Sequence, residues 1–205
     1  MTYVNSSSQV VTCQTSFFSD SGAPLPVSFG GPAASSRTDS LSPGGTVHQQ
    51  SQANLNAAVV TGWAQAQCSG AVKANLLFRS YSQGIASAEA GVNAMTAPAT
   101  QFVTFAETGT GVAYANPSTQ SATITFTALD SAGQALASMS LTLAPQQHGA
   151  AFLGPLLGLS SFTGSVQITS TAPIVSLSLN FEAAPVFSSL PPGELDSGTP
   201  LATGH

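Results

Sequence analysis

The segment 111–136, GVAYANPSTQSATITFTALDSAGQAL, decides the fold because the chain has already used the same pattern once. The segment 3–25, YVNSSSQVVTCQTSFFSDSGAPL, aligns with residues 114–136 without a gap, at a constant offset of 111 (114 − 3). Seven aligned pairs are identical: Tyr3/Tyr114, Asn5/Asn116, Ser7/Ser118, Gln9/Gln120, Thr12/Thr123, Gly22/Gly133 and Leu25/Leu136. About two matches would be expected by chance, so the chain contains an internal repeat.

The alignment extends over almost the whole chain once one insertion is allowed. The segment 26–42 of the first copy is rich in Pro, Gly and Ser, and beyond it the offset falls to 102 (143 − 41). Further matched pairs follow at Leu41/Leu143, Pro43/Pro145, Thr61/Thr163, Gly62/Gly164 and Gln65/Gln167. We therefore predict two modules of about 100 residues each, over 1–97 and 98–190, with a tail over 191–205.

Alternating residues predict that both modules are built from short strands. Val11, Cys13, Thr15 and Phe17 share one face of a first-repeat strand. The predicted inner face of the second repeat consists of Ile124, Phe126, Leu141, Val166, Ile168, Leu177 and Leu179. Short strands separated by Gly and Pro turns predict an all-β fold of two tandem antiparallel sandwiches, and only residues 152–159 could hold a helical turn.

The composition narrows the possible functions. Charged residues make up 5% of the chain against about 25% in typical soluble domains. The cations are Arg37, Lys73 and Arg79, and the net charge is −5. Nucleic-acid binding is excluded because it needs clustered cations, whereas a weakly charged surface favours self-association.

The longest apolar run, 150–159, is too short to cross a membrane. Met1 leads directly into a strand-like segment, so we expect a removed leader or a piece of a longer chain.

Two cysteines fall on inward positions. Cys13 occupies the place of Ile124, and Cys68 occupies the place of Ser170, which has the parity of Val166. We predict a disulfide between them, with two buried thiols as the alternative. A disulfide would place the protein outside the cytoplasm.

The second repeat carries a Tyr-x-Asn-Pro-Ser motif and a following Ala-Thr-Ile-Thr-Phe strand over 114–126, Leu-Ala-Pro at 143–145, and Thr-Gly-x-Val-x-Ile from residue 163. This pattern resembles the tandem immunoglobulin-like β-sandwich modules of secreted bacterial surface proteins. The first repeat keeps most of it but has Ser6 in place of the proline. The resemblance implies a stalk, adhesive unit or filament subunit at the cell surface.

Residues able to carry chemistry are few, and no known catalytic motif is present. We interpret His48 and His148 as surface-loop residues, and Asp20 and Asp130 as turn caps rather than calcium ligands. The sequence therefore predicts no enzymatic activity, no metal and no cofactor.

Trp63 and Asn5 are the residues that could involve a glycan. Trp63 falls on an outward position and could stack on a sugar ring, although packing against the insertion or the other module is the favoured reading. Asn5 heads a formal Asn-x-Ser glycosylation acceptor.

The ends of the repeats suggest how copies might join. Residues 101–107 lead into the second repeat, whereas the first repeat has nothing equivalent and so lacks a first strand. The segment 185–191 follows the second repeat much as 99–105 follows the first. We expect this segment to be donated to the next molecule. The alternatives are that the missing first strand lies upstream in a longer chain, or that the tail folds back on its own chain. Its possible contact residues are Pro185, Val186, Phe187, Ser188, Ser189 and Leu190.

Together these observations predict a structural subunit or module of an extracellular bacterial assembly, joined head-to-tail or through further modules of a longer chain. The alternative is a carbohydrate- or surface-binding module centred on Trp63.

Overall fold

The computed structural model describes residues 1–52, 59–82, 85–183 and 186–195, and its regular structure is almost entirely β. The first repeat contains β1 (Thr2–Asn5), β2 (Val11–Ser19), β3 (Ser36–Leu41), β4 (Thr46–His48), β5 (Gly62–Cys68), β6 (Val72–Ser82) and β7 (Ile85–Asn93). The second contains β8 (Ala99–Glu107), β9 (Thr110–Ala115), β10 (Ala122–Leu129), β11 (Ala135–Leu143), β12 (His148–Phe152), α1 (Leu153–Leu157), β13 (Thr163–Ala183), β14 (Val186–Ser189) and β15 (Gly193–Glu194). Helix α1 lies within the segment predicted to hold a helical turn. No helix in the described part of the chain is long and apolar enough to span a membrane.

Every strand pair is antiparallel, as predicted. In the first repeat the strands form two sheets, in the orders β4-β1-β6-β7 and β3-β2-β5. In the second repeat β13 passes through both layers: its first half pairs with β10 and β8, and its second half pairs with β9 and β14. The second repeat is therefore one continuous sheet, whereas residues 69–71 interrupt the equivalent strand of the first repeat.

Each repeat contains a buried hydrogen-bond network centred on one asparagine, Asn5 in the first repeat and Asn116 in the second. These two residues are 1% and 0% exposed. The Asn116 side-chain amide donates to the carbonyls of Gln120, Leu143 and Ala144 at 2.7, 3.2 and 3.2 Å. Its carbonyl oxygen accepts from the Ser118 amide and hydroxyl. Asn5 makes the same bonds to the residues that the sequence alignment places opposite these: Gln9, Leu41, Ser42 and Ser7. Asn therefore suits both turns, because its short side chain supplies an amide donor and a carbonyl acceptor together.

The core of the second repeat follows the predicted alternation only in part. Ile124, Phe126, Val166 and Ile168 are fully buried, and Leu141 packs against them while half-buried.

The prediction was wrong for Leu177 and Leu179, which are half-buried, whereas Ile174, Ser176 and Ser178 are buried. Strand β13 is not interrupted at Ala172-Pro173, so the inward parity of Val166 and Ile168 continues at Ile174, Ser176 and Ser178.

The segment expected either to be donated or to fold back pairs within its own chain. Strand β14 pairs with β13, with Phe187 opposite Phe181, and this is the position that β7 takes beside β6 in the first repeat. The comparison of 185–191 with 99–105 was therefore wrong, because the segment is the last strand of its own repeat and not a spare one. Pro185 lies outside the described residues.

Candidate functional site: the junction between the repeats

The turn after β2 docks onto the turn before β12. Gly22 has a φ of +82°, and a Cβ atom there would lie 2.9 Å from the carbonyl oxygen of Pro145. The equivalent Gly133 has a φ of +78° but nothing within 4 Å of its Cβ position. Glycine is thus required in both turns by backbone conformation, but only Gly22 is also required by a close contact between the repeats.

Trp63 lies in this junction. Its ring stacks on Phe18 with centroids 5.0 Å apart, and its Nε1 atom donates to the carbonyl oxygen of Gln146 at 2.8 Å. Gln146 has a φ of +61° in the turn where the first repeat has Gly44, with a φ of +68°. The structure therefore places Trp63 against the other repeat, half-buried, in the packing role that the sequence favoured over an exposed aromatic.

A polar contact completes the junction. The Asp20 carboxylate lies 2.8 Å from His148 Nδ1 and accepts from the Thr61 hydroxyl at 2.6 Å. The Thr61 hydroxyl, and to a lesser extent His148, hold the pKa of Asp20 below its ordinary value against the opposing effect of burial. His148 also donates its backbone N–H to the Asp20 carbonyl at 3.2 Å.

Two sequence interpretations are corrected by this contact. His148 is not a surface-loop residue, because its side chain is 9% exposed. Asp20 aligns with Ser131 rather than with Asp130, and Ser19 occupies the capping position of its turn. Asp130 does cap its own turn, accepting from the amides of Ala132 and Gln134 at 2.8 Å. No sequence pattern indicated the Asp20–His148 pair, because 128 positions separate the two residues.

The side chains that form the junction occur once in the chain. The positions equivalent to Asp20, Trp63, Gln146 and His148 hold Ser131, Ser165, Gly44 and Thr46. The junction side chains are therefore specific to this pair of repeats.

A polar groove of about 260 Å³ opens beside the junction, on the outer face of β2 and β5. Its lining residues are Gln14, Ser16, Phe18, Gln65, Gln67 and Gln146. The Oε1 atom of Gln146 is buried without a hydrogen-bond partner. Amide groups around one aromatic ring could hydrogen-bond and stack with a neutral polar ligand.

The predicted disulfide joins Cys13 and Cys68, with Cα atoms 4.0 Å apart. This separation is shorter than the usual ~5.5–6 Å because the two residues face each other directly across antiparallel strands. The bond ties β2 to β5 at the end away from the junction.

The remaining candidate residues show no arrangement for catalysis. His48 Nδ1 lies 2.9 Å from the Thr2 hydroxyl. In the described ranges, no group of three or more His, Cys, Asp or Glu side chains could hold a metal ion. Asn5 is buried with its amide fully bonded, so it cannot accept a glycan in the folded protein.

Comparison of the chain with protein-family models, with curated proteins and with solved structures found no match.

Proposed function

We propose that the chain is a structural unit of an extracellular bacterial surface assembly, such as a filament, stalk or adhesin, built from two immunoglobulin-like sandwich modules. The junction carries this proposal, because three contacts join one module to the other: the Trp63 side chain bonds the Gln146 carbonyl, and His148 contacts Asp20 through both its ring and its backbone N–H. A fixed orientation suits a unit that bears or transmits load better than one whose parts must move during a reaction. The proposed role is therefore structural rather than enzymatic.

Three further features support this role. The Cys13–Cys68 disulfide suits an oxidising compartment. The weakly charged surface lowers repulsion between copies. The two buried Asn networks give each module its own set of internal hydrogen bonds.

Electron microscopy of the native sample together with small-angle scattering of the purified chain tests the proposal. We expect ordered assemblies in the native sample and, in solution, one rigid elongated particle that becomes flexible in Trp63→Ala. A native protein that is monomeric at every concentration, with freely moving modules, would contradict it.

A second candidate function is binding of a neutral glycan in the groove lined by glutamines. The amide side chains that surround the Phe18 ring in the groove favour this reading. Glycan binding that is lost in Gln65→Ala, at an unchanged unfolding midpoint, would support it. Retained binding in that variant would remove the groove as the site.

A further inference from the structure

Among the described strands of the first repeat, one edge of β5 has no partner, whereas the second repeat fills the equivalent position with β8. In the second repeat β8 pairs with β13 from Thr163↔Glu107 to Thr169↔Gln101, and Phe102 of β8 is fully buried. The strand of the first repeat that is equivalent to this half of β13 is β5, and β5 pairs with β2. No other strand of the described ranges pairs with β5.

The backbone groups on this edge point outward in regular alternation. Cys13 and Cys68 form a closely spaced pair, which marks a position where neither residue bonds across to the other strand. Two and four residues earlier, Ala66 and Ala64 therefore direct their N–H and C=O groups away from β2. The hydrogen bonds of Phe17, which lies opposite Ala64, support this assignment. Its backbone N–H donates to the Ser35 carbonyl and its carbonyl accepts from the Leu25 N–H, so neither group bonds Ala64.

The inner face beside this edge is uncovered. Ala64 and Ala66 are exposed, whereas their counterparts Val166 and Ile168 are 0% exposed. On the opposite sheet, Leu76 is 39% exposed, whereas its counterpart Ser178 is fully buried.

The insertion in the first repeat does not close this gap. It places Phe29 against Phe17, with ring centroids 5.5 Å apart, and leaves Ala64 and Ala66 exposed.

We infer that the β5 edge is a docking site for an extended segment of a partner polypeptide with the chemistry of β8. The internal duplication specifies that chemistry: an antiparallel strand with an uncharged centre and an inward aromatic residue where β8 has Phe102. Main-chain hydrogen bonds to Ala64 and Ala66 would supply affinity, and the aromatic ring would fill the space above them. This inference deepens the proposed structural role by naming the surface through which the unit would join a neighbouring protein.

A fluorescent peptide of the β8 sequence, ATQFVTFAE, tests the site on the full chain. We expect saturable binding of one peptide per chain and slower hydrogen exchange of the Ala64 and Ala66 amides. A peptide with Ser in place of Phe102 should bind at least about tenfold more weakly.

Two chain variants locate the binding. Ala66→Asp puts a charge on the uncovered inner face and should weaken binding at least about tenfold, and Ala66 is already exposed, so the chain should still fold. Gln67→Glu adds the same charge to the outer face of β5 and should leave binding unchanged.

Three outcomes would overturn the inference: no binding up to the solubility of the peptide, binding that is insensitive to Ala66→Asp, or protection of the Ala64 and Ala66 amides by self-association without peptide. The last result would assign the edge to a second copy of this chain. None of these outcomes depends on whether the native sample contains assemblies, so the proposed function is tested separately.

Discussion

The Nδ1 atom of His148 lies 2.8 Å from Oδ1 of Asp20, although 128 positions separate the two residues. This contact joins the first repeat to the second beside the Trp63–Gln146 hydrogen bond.

The stability of the chain should depend on pH through Asp20. The pKa of this carboxyl is lowered in the folded chain from an ordinary value of 3.8, so its contribution to stability is present above that value and is lost as pH falls through the lowered pKa. Asp20→Asn should reduce the free energy of unfolding at pH 7 by less than about 1 kcal/mol, because the side chain is more than half exposed and solvent screens it.

Urea unfolding of Asp20→Asn and the unmodified chain at neutral and strongly acidic pH measures this effect. The difference between them should shrink on acidification. Thr61→Val removes the hydrogen bond that contributes most to lowering the Asp20 pKa. This variant should therefore also show a weaker dependence of stability on pH than the unmodified chain. Parallel pH profiles for the unmodified chain and Asp20→Asn would show that Asp20 contributes nothing at the junction.

Comparison of Gly22→Ala with Gly133→Ala should separate two contributions to the loss of stability: backbone strain and the close contact between the repeats. Both glycines have positive φ, so either substitution should cost about 1 kcal/mol. Gly22→Ala should cost a further ~1–3 kcal/mol, because the new Cβ would press on the Pro145 carbonyl. Chemical denaturation gives the free energies, and scattering shows whether the modules separate. Equal losses for the two variants would mean that the turn does not bear on the second repeat.

Asn116→Ala should lower the free energy of unfolding by about 3 kcal/mol or more, since it leaves several buried backbone groups without partners. Asn116→Asp should be at least as harmful, because a carboxylate cannot donate to three carbonyl oxygens. The exposed Asn75→Ala is the control and should change stability by less than about 0.5 kcal/mol. Guanidinium denaturation compares all three, and a mild effect of Asn116→Asp would show that the donated bonds matter little.

Reduction of the disulfide should destabilise the first repeat and spare the second. The bond closes a loop with a sequence separation of 55, which contributes about 4 kcal/mol in the chain-entropy model. Hydrogen exchange with and without reductant should show faster exchange in β2 and β5 but unchanged exchange in β10 and β13. The Cys13→Ala/Cys68→Ala double variant should behave like the reduced chain. Uniform loss of protection across both repeats would instead mean that the modules unfold together.

The sequence alone determined the duplication, the all-β antiparallel class and the disulfide. Those features are local or periodic: alternation assigns residues such as Phe126 and Ile168 to an inner face, and matched parity puts Cys13 and Cys68 on the same side. The alignment of the repeats showed that Asn5 and Asn116 are identical. It did not show the reason, which is that each buried side-chain amide bonds a neighbouring turn.

Tertiary structure decided what depends on how distant segments meet. The sequence could not show that β13 runs unbroken through two layers, and this fact reversed the expected burial of Leu177 and Leu179. It also could not assign 186–189 to β13 of the same chain, because a strand's pattern does not specify which edge it pairs with. The junction was hidden for the same reason: Asp20 and His148 look like ordinary loop residues until folding brings two turns together and each side chain becomes the other's hydrogen-bond partner.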